Sequence, residues 1–143
     1  MRVLALDVGE RRIGLATGDT DFNLALPIDA IDRTQEAADV RAVLDAARDR
    51  DVEALVVGMP LSMSGKAGLQ AASVQLFIDV LAEATQLAIE TVDERLTTVE
   101  AERRIRETRP GGRKRAGRAQ KGDIDSAAAT VILQAWMDAR RPR

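Results

Sequence analysis

The order of its apolar segments is the feature that most constrains what this chain can fold into. Three short apolar stretches open the sequence, RVLALDV at 2–8, RIGLATGD at 12–19 and NLALPIDAIDR at 23–33. Short polar turns separate them, which predicts an antiparallel meander. Helical and strand patterns then alternate, as is typical of parallel strands joined by right-handed crossovers. The sequence therefore predicts an α/β fold with one mixed five-stranded sheet, its first three strands antiparallel, the others parallel, and helices on both faces.

Periodicity and capping signals locate the remaining elements. Thr34 stands where the N-cap of a first helix is expected, and apolar residues follow at helical spacing at Ala37, Val40, Val43, Leu44 and Ala47. The pattern further predicts strands over 54–57 and 86–94, a helix over 69–85, a short helix capped by Thr97 or Thr98, and a last helix from about Asp123. The segment PGGRKRAGRAQKG at 110–122 is predicted to be a loop, because it is rich in Gly and basic residues.

Length and composition point to one domain. With 143 residues, 45% of them hydrophobic, the chain is long enough for a single core and too short for two typical domains, so we expect one domain over 1–143. No apolar run approaches the roughly 18 residues of a membrane helix. The start, MRVLALDVGERR, becomes charged too soon for a secretory signal. We therefore expect a cytoplasmic protein.

The chain contains no cysteine and no histidine. It therefore has no disulfide, no thiolate zinc site and no imidazole base or ligand. The groups left for chemistry are carboxylates, hydroxyls, Arg and Lys. Carboxylate oxygens prefer hard cations such as Mg²⁺ or Mn²⁺.

Charge is distributed unevenly along the chain. Residues 1–102 carry nine basic and 19 acidic residues, whereas 103–121 carry nine basic residues and one acidic residue, Glu107. This basic segment, 103–121, follows an acidic body, residues 1–102. The arrangement suggests a polyanionic partner such as a nucleic acid. The alternative is a solvated helix face followed by a loop.

Asp7 lies within an otherwise apolar strand and shares a face with Val3 and Ala5. Ionised carboxylates are almost never fully buried unless they are paired or bound to metal. Some partner must therefore stabilise the charge of Asp7.

Two further acidic pairs lie where ligands and charges gather. Asp93 and Glu94 end the last predicted strand, at the sheet edge where ligands bind in open α/β folds. Asp123 and Asp125 open the last helix, whose dipole stabilises negative charge. Simpler explanations exist: Asp123 as an N-cap, Asp93 as a surface acid and Asp125 as a dipole partner.

If the first strand, last strand and last helix are neighbours, Asp7, Glu94 and Asp125 meet in one patch of like charge. A divalent cation would remove the repulsion. Two such ions about 4 Å apart can polarise a phosphodiester, activate a water and stabilise the leaving oxygen without histidine. The hypothesis is metal-assisted phosphodiester hydrolysis, with Asp7 bridging two ions and Glu94 and Asp125 each completing one coordination shell.

These residues resemble, along the whole chain, the YqgF family, also called RuvX, of ribonuclease H-like nucleases related to the RuvC Holliday-junction resolvases. Four motifs in the family's order carry the resemblance: LALDVGERRIGLATGD at 4–19, VVGMPLSMSGKAG at 56–68, VDERLTT at 92–98 and KGDIDSAAATVILQAW at 121–136. It implies a ribonuclease H-like fold and metal-binding carboxylates at Asp7, Glu94 and Asp125. It also implies Mg²⁺ or Mn²⁺ dependence and a role in trimming the 5′ end of pre-16S ribosomal RNA, with DNA junction cleavage in some members.

The sequence departs from the family pattern at two places. Ser62 and Ser64 stand where an Asn and an Asp are usual, and Glu10 and Arg11 replace a Thr or Asn and a Lys. These differences affect substrate preference and leave the three carboxylates intact.

Supporting roles are assigned by position. Arg12 and Arg95 adjoin the predicted site and could bind phosphate or neutralise the acidic body, while Lys121 could face the scissile phosphate. The full set predicted to bind nucleic acid is Arg12, Lys66, Arg95, Arg113, Lys114, Arg115, Arg118 and Lys121. The residues predicted to shape loops are Gly9, Gly58, Pro60 and Gly65.

The only Trp, Trp136, is spaced with Ile132 and Leu133 along the apolar face of the last helix, which predicts core packing. Base stacking is the alternative role for this ring. Aromatic residues are only 2% of the chain, so stacking platforms for single-stranded nucleic acid are not expected.

Two other functions fit parts of the sequence. DVGERRIGLA at 7–16 also resembles the phosphate turn of actin-like ATPases, but those need two such domains to enclose ATP, and no adenosine motif occurs here. The other is a non-catalytic RNA-binding or transcription-associated module. A nuclease of single-stranded DNA or RNA in DNA repair is a further alternative. A junction resolvase making paired cuts would act as a homodimer, and helix faces of this composition could support either a monomer or a dimer.

Overall fold

The structure is a computed structural model that describes residues 1–61, 68–96 and 118–140, with the backbone alone for residues 96 and 118–125. A short 3-10 helix over Glu94–Leu96 follows the last strand. The other elements, in chain order, are β1 (Arg2–Val8), β2 (Arg12–Asp19), β3 (Leu24–Asp32), α1 (Glu36–Asp49), β4 (Ala54–Met59), α2 (Leu69–Ala84), β5 (Ala88–Asp93) and α3 (Arg118–Arg140).

The five strands form one mixed sheet in the order β3-β2-β1-β4-β5. β1 pairs antiparallel with β2, and β2 pairs antiparallel with β3. β4 pairs parallel with both β1 and β5. The predicted mixed sheet is therefore confirmed. The short helix predicted from Thr97 or Thr98 lies outside the described residues.

Each face of the sheet has its own apolar core. Alternate residues of a strand point to opposite faces, so β1 contributes to both cores. Leu4, Leu6 and Val8 pack with α1 and α2. On the opposite face, α3 covers the sheet and packs with Val3, Ala5, Ala16, Ala25 and Val56. Asp7 belongs to this second face, the face that α3 covers.

Two helices begin at other residues than predicted. The residue before α1 is Gln35, with no side-chain capping bond, so the prediction of Thr34 as N-cap is wrong. α3 already begins at Arg118, so Asp123 lies inside the helix and is not its N-cap. Arg, Ala, Gln and Lys are good helix formers, and one internal Gly costs only about 1 kcal/mol. No helix in the described part of the chain is long and apolar enough to cross a membrane.

Instead of capping α1, the amide and hydroxyl of Thr34 bond to a buried carboxylate. Asp39, in the first turn of α1, is only 2% exposed. Its carboxylate accepts bonds from the Thr34 amide and hydroxyl at 3.0 and 3.3 Å and from Arg33 Nε at 3.2 Å. The Arg33 guanidinium also lies 5.3 Å from the Phe77 ring centre and donates to the Gly9 carbonyl at 3.0 Å. This network ties α1 to the turn between β1 and β2.

Substituting Asp39→Asn is expected to lower the free energy of unfolding by about 2 kcal/mol, because Arg33 then loses its charged partner in a largely buried site. The control is Asp45→Asn on the same helix, whose ion pair with Arg48 is exposed. Exposed pairs contribute about 0.5 kcal/mol or less. Urea unfolding of both variants measures the difference. Equal losses would show that the buried network adds no more than a surface pair.

Candidate active site

Asp7 lies near the carboxyl end of β1 between two glycines. On β2 its partner across the ladder is Gly14. On the other side, β1 pairs with β4 as far as Leu6 and Val57, so Gly58 is the next residue along β4. Neighbouring strands lie about 4.8 Å apart, so side chains at both positions would crowd the carboxylate. The half-buried Asp7 carboxylate therefore has side-chain-free backbone on both sides.

Glu94 brings a second carboxylate to the same place. It begins the 3-10 helix directly after β5 and is only 7% exposed. In the β4–β5 ladder Val92 pairs with Gly58. A Cβ atom added to Gly58 would lie 3.0 Å from Glu94 Oε1, so this carboxylate rests against the glycine backbone. Asp7 in β1 and Glu94, directly after β5, thus lie on the two sides of Gly58 in β4.

The third element, α3, packs directly on this region. A Cβ on Gly58 would also lie 2.4 Å from Ile132 Cδ1, so α3 and β4 approach so closely that only glycine fits without a shift. Ser126 is fully buried and bonds to β2 and β3. Position 125 precedes it and, being seven residues before Ile132, shares its helix face. The Asp125 side chain itself lies outside the described residues.

The turn after Asp7 also requires glycine. The Gly9 amide donates to the Arg12 carbonyl at 2.9 Å, and a Cβ on Gly9 would lie 2.8 Å from that oxygen. This contact gives a physical reason for the predicted turn-shaping role of Gly9. Pro60 follows β4 directly and is half-buried, while Gly65 lies outside the described residues.

The two adjacent acids at the end of β5 differ in their surroundings. Asp93 accepts the Arg95 amide at 2.9 Å, and its carboxylate forms an ion pair with the Arg95 guanidinium. The hydrogen bonds from Arg95 hold the pKa of Asp93 below its usual value, although partial desolvation opposes them. Asp93 is therefore ionised and paired at neutral pH, whereas the neighbouring Glu94 is directed at Gly58.

Arg12 and Arg95, the two cations predicted beside the site, are both engaged with carboxylates of the protein. Arg12 Nε donates to Asp32 at 2.8 Å, from the first residue of β2 to the last of β3. Arg95 is about one-third exposed and pairs with Asp93. Neutralisation of the acidic body, one of the two predicted roles, is thus observed for both, and their predicted contacts with nucleic acid stay predictions.

Several predicted site residues lie beyond the described side chains. Lys66, Arg113, Lys114 and Arg115 are outside the described residues, and for Arg118, Lys121 and Asp125 only the backbone in α3 is described. Among the side chains that the structure does describe, no three acidic groups gather to hold a metal ion. Two of the three predicted ligands, Asp7 and Glu94, belong to that described set.

Trp136 is only 6% exposed and packs in the α3 core with Ile132 and Leu133, so its predicted role in packing is confirmed. The Arg140 guanidinium covers the ring at 4.5 Å.

The sequence matches the family described as "RuvX: Holliday junction resolvase" over residues 1–139. The chain belongs to the RuvX family. The mixed sheet, with Asp7 and Glu94 near the carboxyl ends of β1 and β5, therefore belongs to a member of a nuclease family, as the motifs predicted.

Curated RuvX relatives match nearly the whole chain. A protein of Rippkaea orientalis is 43% identical over 138 residues, covering 96% of each chain. One of Roseiflexus sp. (strain RS-1) is 44% identical over 140 residues, covering 98% of this chain and 96% of the relative. Both carry the name "Putative pre-16S rRNA nuclease".

Solved structures confirm the fold at low sequence identity. RuvC of T. thermophilus in complex with a Holliday junction substrate superposes with a TM-score of 0.58 at 16% identity, covering 98% of this chain and 96% of that chain. The Fowlpox virus resolvase in complex with Holliday junction DNA gives a TM-score of 0.52 at 13% identity, covering 97% and 98%. This RuvX-family chain therefore has the resolvase fold.

Two residues at the site were not singled out in the sequence. Gly14 follows Asp7 by seven positions, and the strand pattern alone could have paired them, since a hairpin over 2–8 and 12–19 brings them opposite each other. Ser126 had no such signal, because its partners are about 100 residues away.

Proposed function

We propose that this chain is a divalent-metal-dependent nuclease that hydrolyses phosphodiester bonds, with Asp7, Glu94 and Asp125 holding Mg²⁺ or Mn²⁺. One observation carries the proposal. Asp7 of β1 and the buried Glu94, directly after β5, lie on the two sides of Gly58 of β4. Both lie near the carboxyl ends of these strands. A divalent cation bound between two such carboxylates would offset the repulsion of their like charges and accept oxygen ligands from both.

The donor chemistry fits a hard cation. Asp7 and Glu94 offer oxygen ligands only, which Mg²⁺ and Mn²⁺ prefer. Gly14 and Gly58 carry no side chains that would fill the space beside Asp7. When bound, a pair of divalent cations polarises the phosphodiester, activates water and stabilises the leaving oxygen.

The protein's own residues position the substrate. Asp93 and Asp32 orient the guanidinium groups of Arg95 and Arg12 at the surface. A phosphate could replace either carboxylate, because Arg binds both groups in the same bidentate way. The basic segment 103–121 supplies the affinity for polyanions, which depends on salt through counterion release.

The substrate we propose is pre-16S ribosomal RNA, on the names of relatives that align along nearly the whole chain. The 5′ end is the site of cutting that the family resemblance implies. A Holliday junction is the second candidate, because the matching family is described as a Holliday junction resolvase. Paired cuts in a four-way junction would require a symmetric dimer, whereas trimming one RNA end would not.

The test is cleavage of end-labelled precursor ribosomal RNA, single-stranded DNA and a synthetic four-way junction, each with Mg²⁺, Mn²⁺ or EDTA. We expect metal-dependent cutting that EDTA abolishes, with the RNA precursor cut fastest. Sedimentation of the protein with each substrate separates monomer from dimer. Binding of all three substrates without cutting in any metal would instead indicate a non-catalytic nucleic-acid-binding module.

A further inference from the structure

Ser126 is a fully buried polar residue that the proposed chemistry does not use. Its hydroxyl accepts the Leu15 amide at 3.3 Å and donates to the Ile28 carbonyl at 2.5 Å. Leu15 and Ile28 are partners in the β2–β3 ladder. One side chain of α3 thus bridges the backbones of two strands.

The bridge lies beside an irregularity in the sheet. Ile13 pairs with Ile31 and Leu15 pairs with Ile28, so two residues of β3 lie opposite the single residue Gly14 of β2. Such a bulge disrupts the ladder and is frequent next to active sites, where it re-aims neighbouring groups. Gly14 is also the residue opposite Asp7. Gly14 therefore lies opposite both the bulge and Asp7, and the Ser126 hydroxyl bonds to the next residue of β2, Leu15.

The bridge constrains where α3 lies on the sheet. A hydroxyl bonded to two strands restricts both the height and the rotation of a helix at that point, because a shift of more than about 1 Å away from the strands would break both bonds. Gln134 makes an equivalent attachment two turns later, where its side chain accepts the Ala25 amide and donates to the Asn23 carbonyl, each at 3.2 Å. Among the described side chains of α3, Ser126 is thus the attachment closest to residue 125.

We infer that Ser126 is a positioning residue, whose hydroxyl holds the N-terminal half of α3 against the β2–β3 bulge and so sets the position of residue 125 relative to Asp7. This inference rests on the proposed function, because it assigns the positioning to a metal-binding Asp125. Ser126 itself touches neither substrate nor metal.

The test compares Ser126→Ala with Thr130→Ala. Thr130 lies one turn later, and its hydroxyl bonds only to the Ser126 carbonyl of the same helix among the bonds described for it. We expect Ser126→Ala to lower kcat about 10-fold with KM for nucleic acid unchanged, as removal of groups behind metal ligands does. The Mn²⁺ concentration for half-maximal activity should rise similarly, whereas Thr130→Ala should change neither.

A second readout does not depend on activity. Mn²⁺ binding, followed by the loss of the free-ion electron paramagnetic resonance signal, should weaken about 10-fold in Ser126→Ala. If that variant does not fold, Ser126→Cys keeps a donor and an acceptor at this position, with weaker hydrogen bonds and a somewhat larger atom, and should show a smaller loss in the same direction. Normal kcat and Mn²⁺ affinity in a folded Ser126 variant would overturn this inference and leave the proposed function standing. A wild-type protein that neither cuts nor binds Mn²⁺ would overturn the proposed function as well.

Discussion

Substituting Asp7→Asn is expected to lower cleavage of every substrate by at least about 100-fold while nucleic-acid binding is retained. Asn keeps the shape of the side chain but removes the charge that would hold a cation. Even groups behind metal ligands cost 10- to 100-fold when they are removed, so a residue that would hold the cation directly should cost more. Binding should persist because nine of the 21 basic residues lie in 103–121, far from Asp7 in sequence.

The matched control for Asp7 is Asp49→Asn, which removes one negative charge from the exposed last residue of α1. This variant should cut at the wild-type rate, so any loss specific to Asp7 is not an effect of net charge. Thermal unfolding gives an independent measurement: Mn²⁺ should raise the Tm of the wild type and of Asp49→Asn, and should raise that of Asp7→Asn much less. Wild-type cleavage by Asp7→Asn would contradict the assignment of Asp7 as a metal ligand.

Local patterns account for what the sequence predicted correctly. Strand alternation assigned Asp7 to the face of Val3 and Ala5, and the structure has that face under α3. The anomaly of an acid in an apolar strand was also local, which is why Asp7 could be singled out from the residues alone. Glu94 was predicted as a ligand and Asp93 as a surface acid, and in the structure Asp93 is paired with Arg95.

The sequence could not predict features that depend on distant contacts. Asp39 is buried in a network in which its partner Arg33 also reaches the Gly9 carbonyl and the Phe77 ring, and no helical pattern marks such an acid for burial. The bond from the Leu15 amide to Ser126 spans 111 residues. Gly58 was predicted to shape a loop, yet it lies inside β4 under Ile132. Each of these roles follows from which elements meet in space, which propensity does not encode.

Substituting Gly58→Ala is expected to lower both stability and activity, because two groups meet at that position. The new Cβ would lie 2.4 Å from Ile132 Cδ1 and 3.0 Å from Glu94 Oε1. Ile132 is fully buried and has little space in which to rotate, so overpacking should cost about 3 kcal/mol in the free energy of unfolding. The Glu94 carboxylate would have to give by a few tenths of an ångström, which should lower kcat by about 10-fold, as small changes around metal ligands do.

The double variant Gly58→Ala with Ile132→Val separates the two contributions. Val lacks the Cδ1 atom that the new Cβ would strike, so the double variant should recover part of the stability lost in Gly58→Ala, although Ile132→Val alone costs about 1 kcal/mol. Activity should stay low, because the contact with Glu94 remains. Gly68→Ala is the matched control, since a Cβ there meets nothing within 4 Å. Recovery of activity together with stability would show that Gly58 serves only the packing of α3, and that Glu94 does not depend on the absence of a side chain at this position.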